Sequence, residues 1–310
     1  MKGGRWALAL AALLAVRGMD LLPWGREPEE RKLVTALAVD GGEEVRLAAV
    51  TGVRISEDEE PEVLKGSGDS LPAACRELRG GSARRVYLGQ TEQLLLGESG
   101  ELETVLDFVL KDRELRLDTL LYMVKGNAVE ALEASADRVS GETGGRDPRG
   151  RTVGEIMPRL AEEEYALVPA LAPGQEGGLE PAGWAVLGPQ GPAGYLEGEA
   201  ALGAALLSDL GEGQVVTLPH GAVELTSVRT WAVDGTLQGT LTARVLEGFP
   251  KTEELTDWGR MVLKAALTPG WDCWGLEREM RLLRPAEWGR ERGHPVEELA
   301  IEVKGKLVRG

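Results

Sequence analysis

Apolar residues recur along this chain with two periods, alternate positions in some stretches and helical spacing in others, and these periods place the elements. Residues 33–39 form an apolar run closed by Asp40, Gly41 and Gly42, and residues 45–53 answer it. The arrangement predicted is strand, Asp-Gly turn, strand. After an acidic stretch at 57–62, Lys65, Gly66, Ser67 and Gly68 read as a flexible turn leading to Ser70, a helix N-cap. Leu71, Ala74, Cys75 and Leu78 then share a helical face, so Cys75 is expected as a small core residue rather than a nucleophile.

Residues 86–88 and 93–97 predict strands, and Leu102, Val105, Leu106 and Val109 predict a second helix. The charged segment Lys111, Asp112, Arg113, Glu114, Leu115, Arg116 is expected as a solvated helix end, its local ion pairs each worth under about 1 kcal/mol. Residues 120–124 read as a buried strand. Asn127 caps a helix with Val129, Leu132, Ala136 and Val139 on its apolar side.

The stretch 140–151, rich in Gly, Asp and Arg, is expected to be an exposed loop. A short helix over 153–163 and a strand pair at 165–171 and 184–187 follow, with a further helix over 195–207. From 214 to 246 the pattern becomes β-branched and alternating, and 223–233 and 240–246 form a hairpin about Asp234 and Gly235. Leu255, Trp258, Val262 and Ala265 mark an amphipathic helix. The final alternation sets Ile301, Val303 and Leu307 against Glu302, Lys304 and Lys306, as in a half-buried strand.

Length changes this picture in one respect: 310 residues exceed the usual single domain and predict two or three cores. The balance of 35 Lys plus Arg against 51 Asp plus Glu, a formal charge of -16, argues against nucleic acid as a partner. At the amino terminus Lys2 and Arg5 precede the apolar run 6–16, and Arg17 closes it. This order predicts an export signal or anchor over 1–22, with a buried core helix as the alternative. The run of about eleven residues is shorter than the roughly 20 that span a bilayer.

Candidate chemistry is sparse. Cys75 and Cys273 lie far apart, as do His220 and His294, and neither pair has the spacing of a metal shell or a disulfide framework. The Gly66-Ser67-Gly68 stretch lacks the Gly-Lys-Ser/Thr ending of a phosphate loop, and no Gly-x-Ser-x-Gly elbow is present. The expectation is therefore no catalytic, cofactor-binding or metal-binding residue, and no enzyme. Trp271, Trp274 and Trp288 cluster near the carboxyl end, as core or domain-junction packing or as interface anchors.

Several strings, in shared order, resemble the Ger(x)C (GerAC) family of spore germinant receptor C subunits. They are LVTALAVDG (33–41), KGSGDSLPAACREL (65–78), RRVYLGQTEQLLLGES (84–99) and LDFVLKDRELRLDTLLYMVKGNAVEAL (106–132). In the last, Asp112, Glu114 and Arg116 match the family's Arg-Asp-x-Glu-x-Arg block, with Lys111 in place of the first Arg. GWAVLGPQGPAGYLEGEAALGAALL (183–207) and WDCWGLEREMRLLRPAEW (271–288) continue the likeness.

The resemblance implies an elongated multi-domain α+β protein, with mixed sheets and packed helices after the signal segment. Its units would be an α/β region over 26–195, one unit or two subdomains split near 140–151, and an α+β domain over 196–310. It implies a non-enzymatic, exported subunit on the outer face of the spore inner membrane, assembled with membrane A and B subunits for nutrient-triggered germination. An extracytoplasmic solute-binding protein is the alternative. The family's signal commonly ends in a Cys that becomes lipidated; here no Cys precedes Cys75, so lipidation is not expected.

Overall fold

The computed structural model describes residues 31–51, 62–112, 114–142, 150–174, 178–233, 235–283 and 296–308. Over these residues the chain is a multi-domain α+β protein with two mixed sheets and seven helices. The segment expected as an export signal or anchor, His294 and Trp288 lie outside them.

The opening hairpin forms as its pattern predicts. Strand β1 (Arg31–Asp40) pairs antiparallel with β2 (Val45–Thr51), Ala38 opposite Ala48. The turn expected at Lys65 to Gly68 is instead strand β3 (Val63–Gly68), antiparallel to β2 with Leu47 opposite Gly66. Its glycines serve close packing rather than a bend. Helix α1 (Leu71–Gly80) lies so near that a Cβ on Gly66 would stand 2.3 Å from the Ala74 carbonyl oxygen. Leu71, Ala74, Cys75 and Leu78 are buried together, as their spacing requires. Ser70 occupies the N-cap in extended conformation, yet its hydroxyl makes no capping bond.

Strands β4 (Arg85–Tyr87), β5 (Gln93–Gly97), β6 (Leu120–Val124), β7 (Arg151–Thr152), β8 (Ala166–Pro173), β9 (Leu179–Gly188) and β10 (Gly191–Leu196) complete the first sheet. Its order is β10-β9-β8-β6-β5-β1-β2-β3, with β4 beside β1 and β7 beside β6. The centre β1, β5, β6, β8 is parallel, and both ends are antiparallel. Buried on both faces, these strands read as continuous apolar runs. Helix α2 (Leu102–Lys111) and helix α4 (Val153–Ala161) join α1 in the core on one face, while α3 (Ala128–Glu142) covers Ala36, Ala38, Ala48 and Leu95 on the other. Thr152 and Glu155 start α4 with a reciprocal capping box, Glu155 N–H to Thr152 Oγ1 at 3.2 Å and Thr152 N–H to Glu155 Oε2 at 2.9 Å.

The helix expected over 195–207 begins later. Tyr195 and Leu196 belong to β10, where they face Ala185 and Trp184 of β9, and helix α5 (Gly198–Leu207) starts beyond Glu197. The second sheet contains β11 (Val215–Leu218), β12 (Gly221–Val233), β13 (Thr236–Gly248) and β14 (Ala300–Val308), in that order. The β12–β13 hairpin follows the sequence pattern, and β14 joins parallel to β13, Leu241 beside Gly305. Helix α6 (Thr252–Leu267) makes the crossover and buries Leu255, Val262 and Leu263 in one core with Leu241 and Val303. Helix α7 (Leu276–Leu283) and a 3-10 turn (Val296–Glu298) complete this part.

The charged segment after α2 departs from the solvated helix end that its sequence predicts. Asp112 Oδ1 accepts the N–H groups of Glu114 at 2.8 Å and Leu115 at 3.3 Å, turning the chain out of α2 and burying Leu115. The Glu114 carboxylate then receives Arg79 at 3.3 Å, Arg85 at 3.2 Å and the Leu88 N–H at 3.2 Å. Arg79 also reaches Asp112 at 3.4 Å. With side chains only 12% and 19% exposed, Asp112 and Glu114 tie α2 to α1 and β4. Lys111 and Arg116 do behave as surface charges, pairing with Asp107 and Asp118.

This division has a measurable consequence. Glu114→Ala leaves the Leu88 amide and two guanidiniums short of an acceptor and should lower the unfolding free energy by about 1–3 kcal/mol. Arg116→Ala should cost under about 0.5 kcal/mol. Urea unfolding of the two variants measures the contrast, and equal losses would contradict the buried tie.

Candidate functional site

Strands β1, β5, β6, β8 and β10 all end on one side of the first sheet, where open α/β sheets place their ligands. That edge gathers Asp40 from β1, Glu98 after β5, Lys125 after β6, and Tyr195 and Glu197 at the end of β10.

Asp40 is completely buried. Its Oδ1 accepts the Ala128 N–H at 3.0 Å and its Oδ2 the Val129 N–H at 2.8 Å, so a carboxylate from β1 sits on the amino terminus of α3. The free amides and the helix dipole both favour negative charge there. The cap expected at Asn127 is also present: Asn127 Oδ1 accepts the Glu130 N–H at 2.9 Å, and its Nδ2 donates to Glu130 Oε1 at 2.9 Å. Gly97 makes the room, since a Cβ at that position would lie 1.8 Å from Asp40 Oδ1.

Beside it, the Lys125 ammonium pairs with the Glu197 carboxylate and stands 4.9 Å from the centre of the Tyr195 ring. Burial, and then the neighbouring Glu98 carboxylate, push the Tyr195 hydroxyl up to about 12, so it stays protonated at neutral pH. The charges of this edge are largely committed to one another and to helix amides. Chemically, it clasps the strand ends together.

The other residues singled out in the sequence fall in separate places. Cys75 is in the first core, and Cys273 lies where the two sheets meet. His220, in the turn before β12, places Nδ1 2.5 Å from Glu254 Oε1 on α6. Desolvation raises the Glu254 carboxyl, but the hydrogen bond and charge of His220 outweigh it and lower its pKa. Among the described residues, no group of three or more His, Cys, Asp or Glu is placed to hold a metal ion.

Trp271 and Trp274 pack at the junction. Trp184 of β9, Leu167 of β8, Ala204 and Ala205 of α5 and Cys273 form one buried cluster, against which both indoles pack. Trp274 also packs on the core of the second sheet, and its Nε1 donates to Ser208 Oγ at 3.1 Å. Trp271 lies over Gly194, where a Cβ would approach its ring to 2.5 Å. Asp272 between them caps α7, accepting the Leu276 N–H at 2.8 Å and the Glu277 N–H at 2.9 Å. From α7, Arg278 reaches Glu162 at 3.2 Å and Glu164 at 3.3 Å, beyond the end of α4. Sequence reasoning found the tryptophans but not Asp40, Lys125 or Tyr195, whose partners are remote in the chain.

Comparison with known proteins bears on both halves. Residues 25–139 match the family described as the spore germination protein N-terminal domain. No curated protein sequence matches the chain. A crystal structure of the GerBC protein shares its fold with a TM-score of 0.52 at 14% identity, over 88% of this chain and 96% of that one. The Ger(x)C resemblance is thus borne out where the model of the spore germination protein N-terminal domain matches, over residues 25–139, and the fold is one shared with GerBC.

Proposed function

We propose that the chain is the C subunit of a spore germinant receptor: a non-enzymatic, extracytoplasmic protein that assembles with membrane A and B subunits in nutrient-triggered germination. The observation that carries this reading is the family match over residues 25–139. The likeness to GerBC, which covers 88% of this chain, supports extending the reading beyond the matched residues. In this reading residues 26–195 and 196–310 are the two structural units, joined at the Trp271–Trp274 contacts.

The role assigned is assembly and signal relay rather than turnover. Burial pushes the Cys75 thiol up to about 11 and the Cys273 thiol up to about 12, so neither is a ready nucleophile at neutral pH. Its place would be the outer face of the spore inner membrane. No helix among the described residues is long and apolar enough to cross a membrane. Retention is assigned to the partner subunits, aided by the apolar run 6–16.

Two outcomes are expected. Expressed alone, much of the chain should be recovered in the soluble fraction after a high-salt wash, and co-expression with A and B subunits should move it to the membrane fraction. Equal membrane recovery in both cases would contradict retention by partners. In alkylation with iodoacetamide at neutral pH, both thiols of the native protein should react slowly, and both should react readily in denaturant. A thiol that reacts rapidly in the native protein would reopen nucleophilic chemistry.

A further inference from the structure

The second sheet buries one face under α6 and, among the described residues, leaves the other uncovered. Along β14, Val303 points into the core while Lys304 and Lys306 point out. The strand registers extend this outer face across the sheet: Arg229, Thr240 and Lys304 lie in one row, and Ser227, Thr242 and Lys306 in the next. Arg244 on the same face is ion-paired with Glu224. Arg229, Lys304 and Lys306 have no ion-pair partner among the described residues, although the chain as a whole carries a formal charge of -16.

Apolar side chains flank these cations. Trp231, on the row with Gln238 and Glu302, is 39% exposed, and Val215 and Val308 at the opposite end of the sheet are 64% and 42% exposed. A buried core explains none of them, and solubility alone would favour polar residues there.

We propose that this outer face is a docking surface for an anionic phospholipid membrane. Unpaired Lys and Arg complement phosphate headgroups, and an exposed Trp beside them suits the interfacial zone. A broad sheet face suits a surface that demands no register, whereas a folded partner protein is bound through a packed pocket around anchor residues. Because the remainder of the chain is strongly acidic, approach to an anionic bilayer is favourable with this face foremost, and the contact therefore orients the molecule. The inference rests on the membrane-side location proposed above and adds to it the face that meets the lipid.

The test uses the full chain and sedimentation with two vesicle types, phosphatidylcholine alone and phosphatidylcholine mixed with phosphatidylglycerol. The chain should bind the anionic vesicles more than about tenfold better at low salt, since each basic residue near such a surface adds to the attraction. High salt should abolish the difference. The triple variant Arg229→Glu, Lys304→Glu, Lys306→Glu should lose the preference while keeping the wild-type melting temperature, these positions being solvent-facing. Trp231→Phe should reduce fluorescence quenching by brominated lipid. Binding through the apolar run 6–16 and its flanking Lys2, Arg5 and Arg17 would persist unchanged in the triple variant. An absent preference, or a triple variant that binds like wild type, overturns the proposal. So does a triple variant that binds vesicles normally but fails to co-fractionate with A and B subunits, which would make the face a protein interface. If the chain prefers anionic vesicles yet its deletion leaves nutrient germination intact, the receptor reading fails while the lipid-binding face stands.

Discussion

A buried carboxylate organises the first sheet. Asp40 ends the central strand, is shut off from water and holds the first two amides of α3 in its two oxygens. A charge so placed is tolerable only with compensation of this kind, because desolvating an unpaired carboxylate costs several kcal/mol or more. The interaction fixes where α3 begins and therefore which face of the sheet it covers. It also explains Gly97 one strand over, where any side chain would collide with the carboxylate. One short contact thus couples three elements that are remote in sequence.

The parts of the fold that sequence made legible are those whose causes are local. The β1–β2 hairpin announces itself by apolar runs and the β12–β13 hairpin by alternation, each with a Gly at the turn, and the buried faces of α1 and α2 by helical spacing. What escaped depends on distant partners. Gly66 and Gly68 look like a turn because how closely α1 packs on them shows only after folding. Tyr195 looks like a helix start because β10 gains its strand character by pairing with β9. Asp112 and Glu114 look like solvated charge because Arg79, Arg85 and the Leu88 amide lie 26 to 35 residues earlier. The strand-end clasp was invisible for the same reason: a Lys, a Tyr and three carboxylates scattered from 40 to 197 have no common spacing.

The two sheets are joined asymmetrically. The first contributes β8 and β9, and the second contributes α5 and the Trp271–Trp274 segment, with Trp274 packed into both clusters. Asp272 anchors that segment to α7, and Arg278 on α7 reaches back to Glu162 and Glu164. A displacement of α7 would therefore be felt on the first sheet through both apolar and ionic contacts. Such a joint suits the signal relay proposed for this chain.

The parallel placement of β14 has a consequence for how the molecule is made. Strand β13 is synthesised long before its second neighbour, since residues 249–299 intervene and include the crossover helix α6. During that interval its outer edge offers unpaired amides and carbonyls along the register that β14 later fills, and an exposed edge of this length is a template for pairing with other chains.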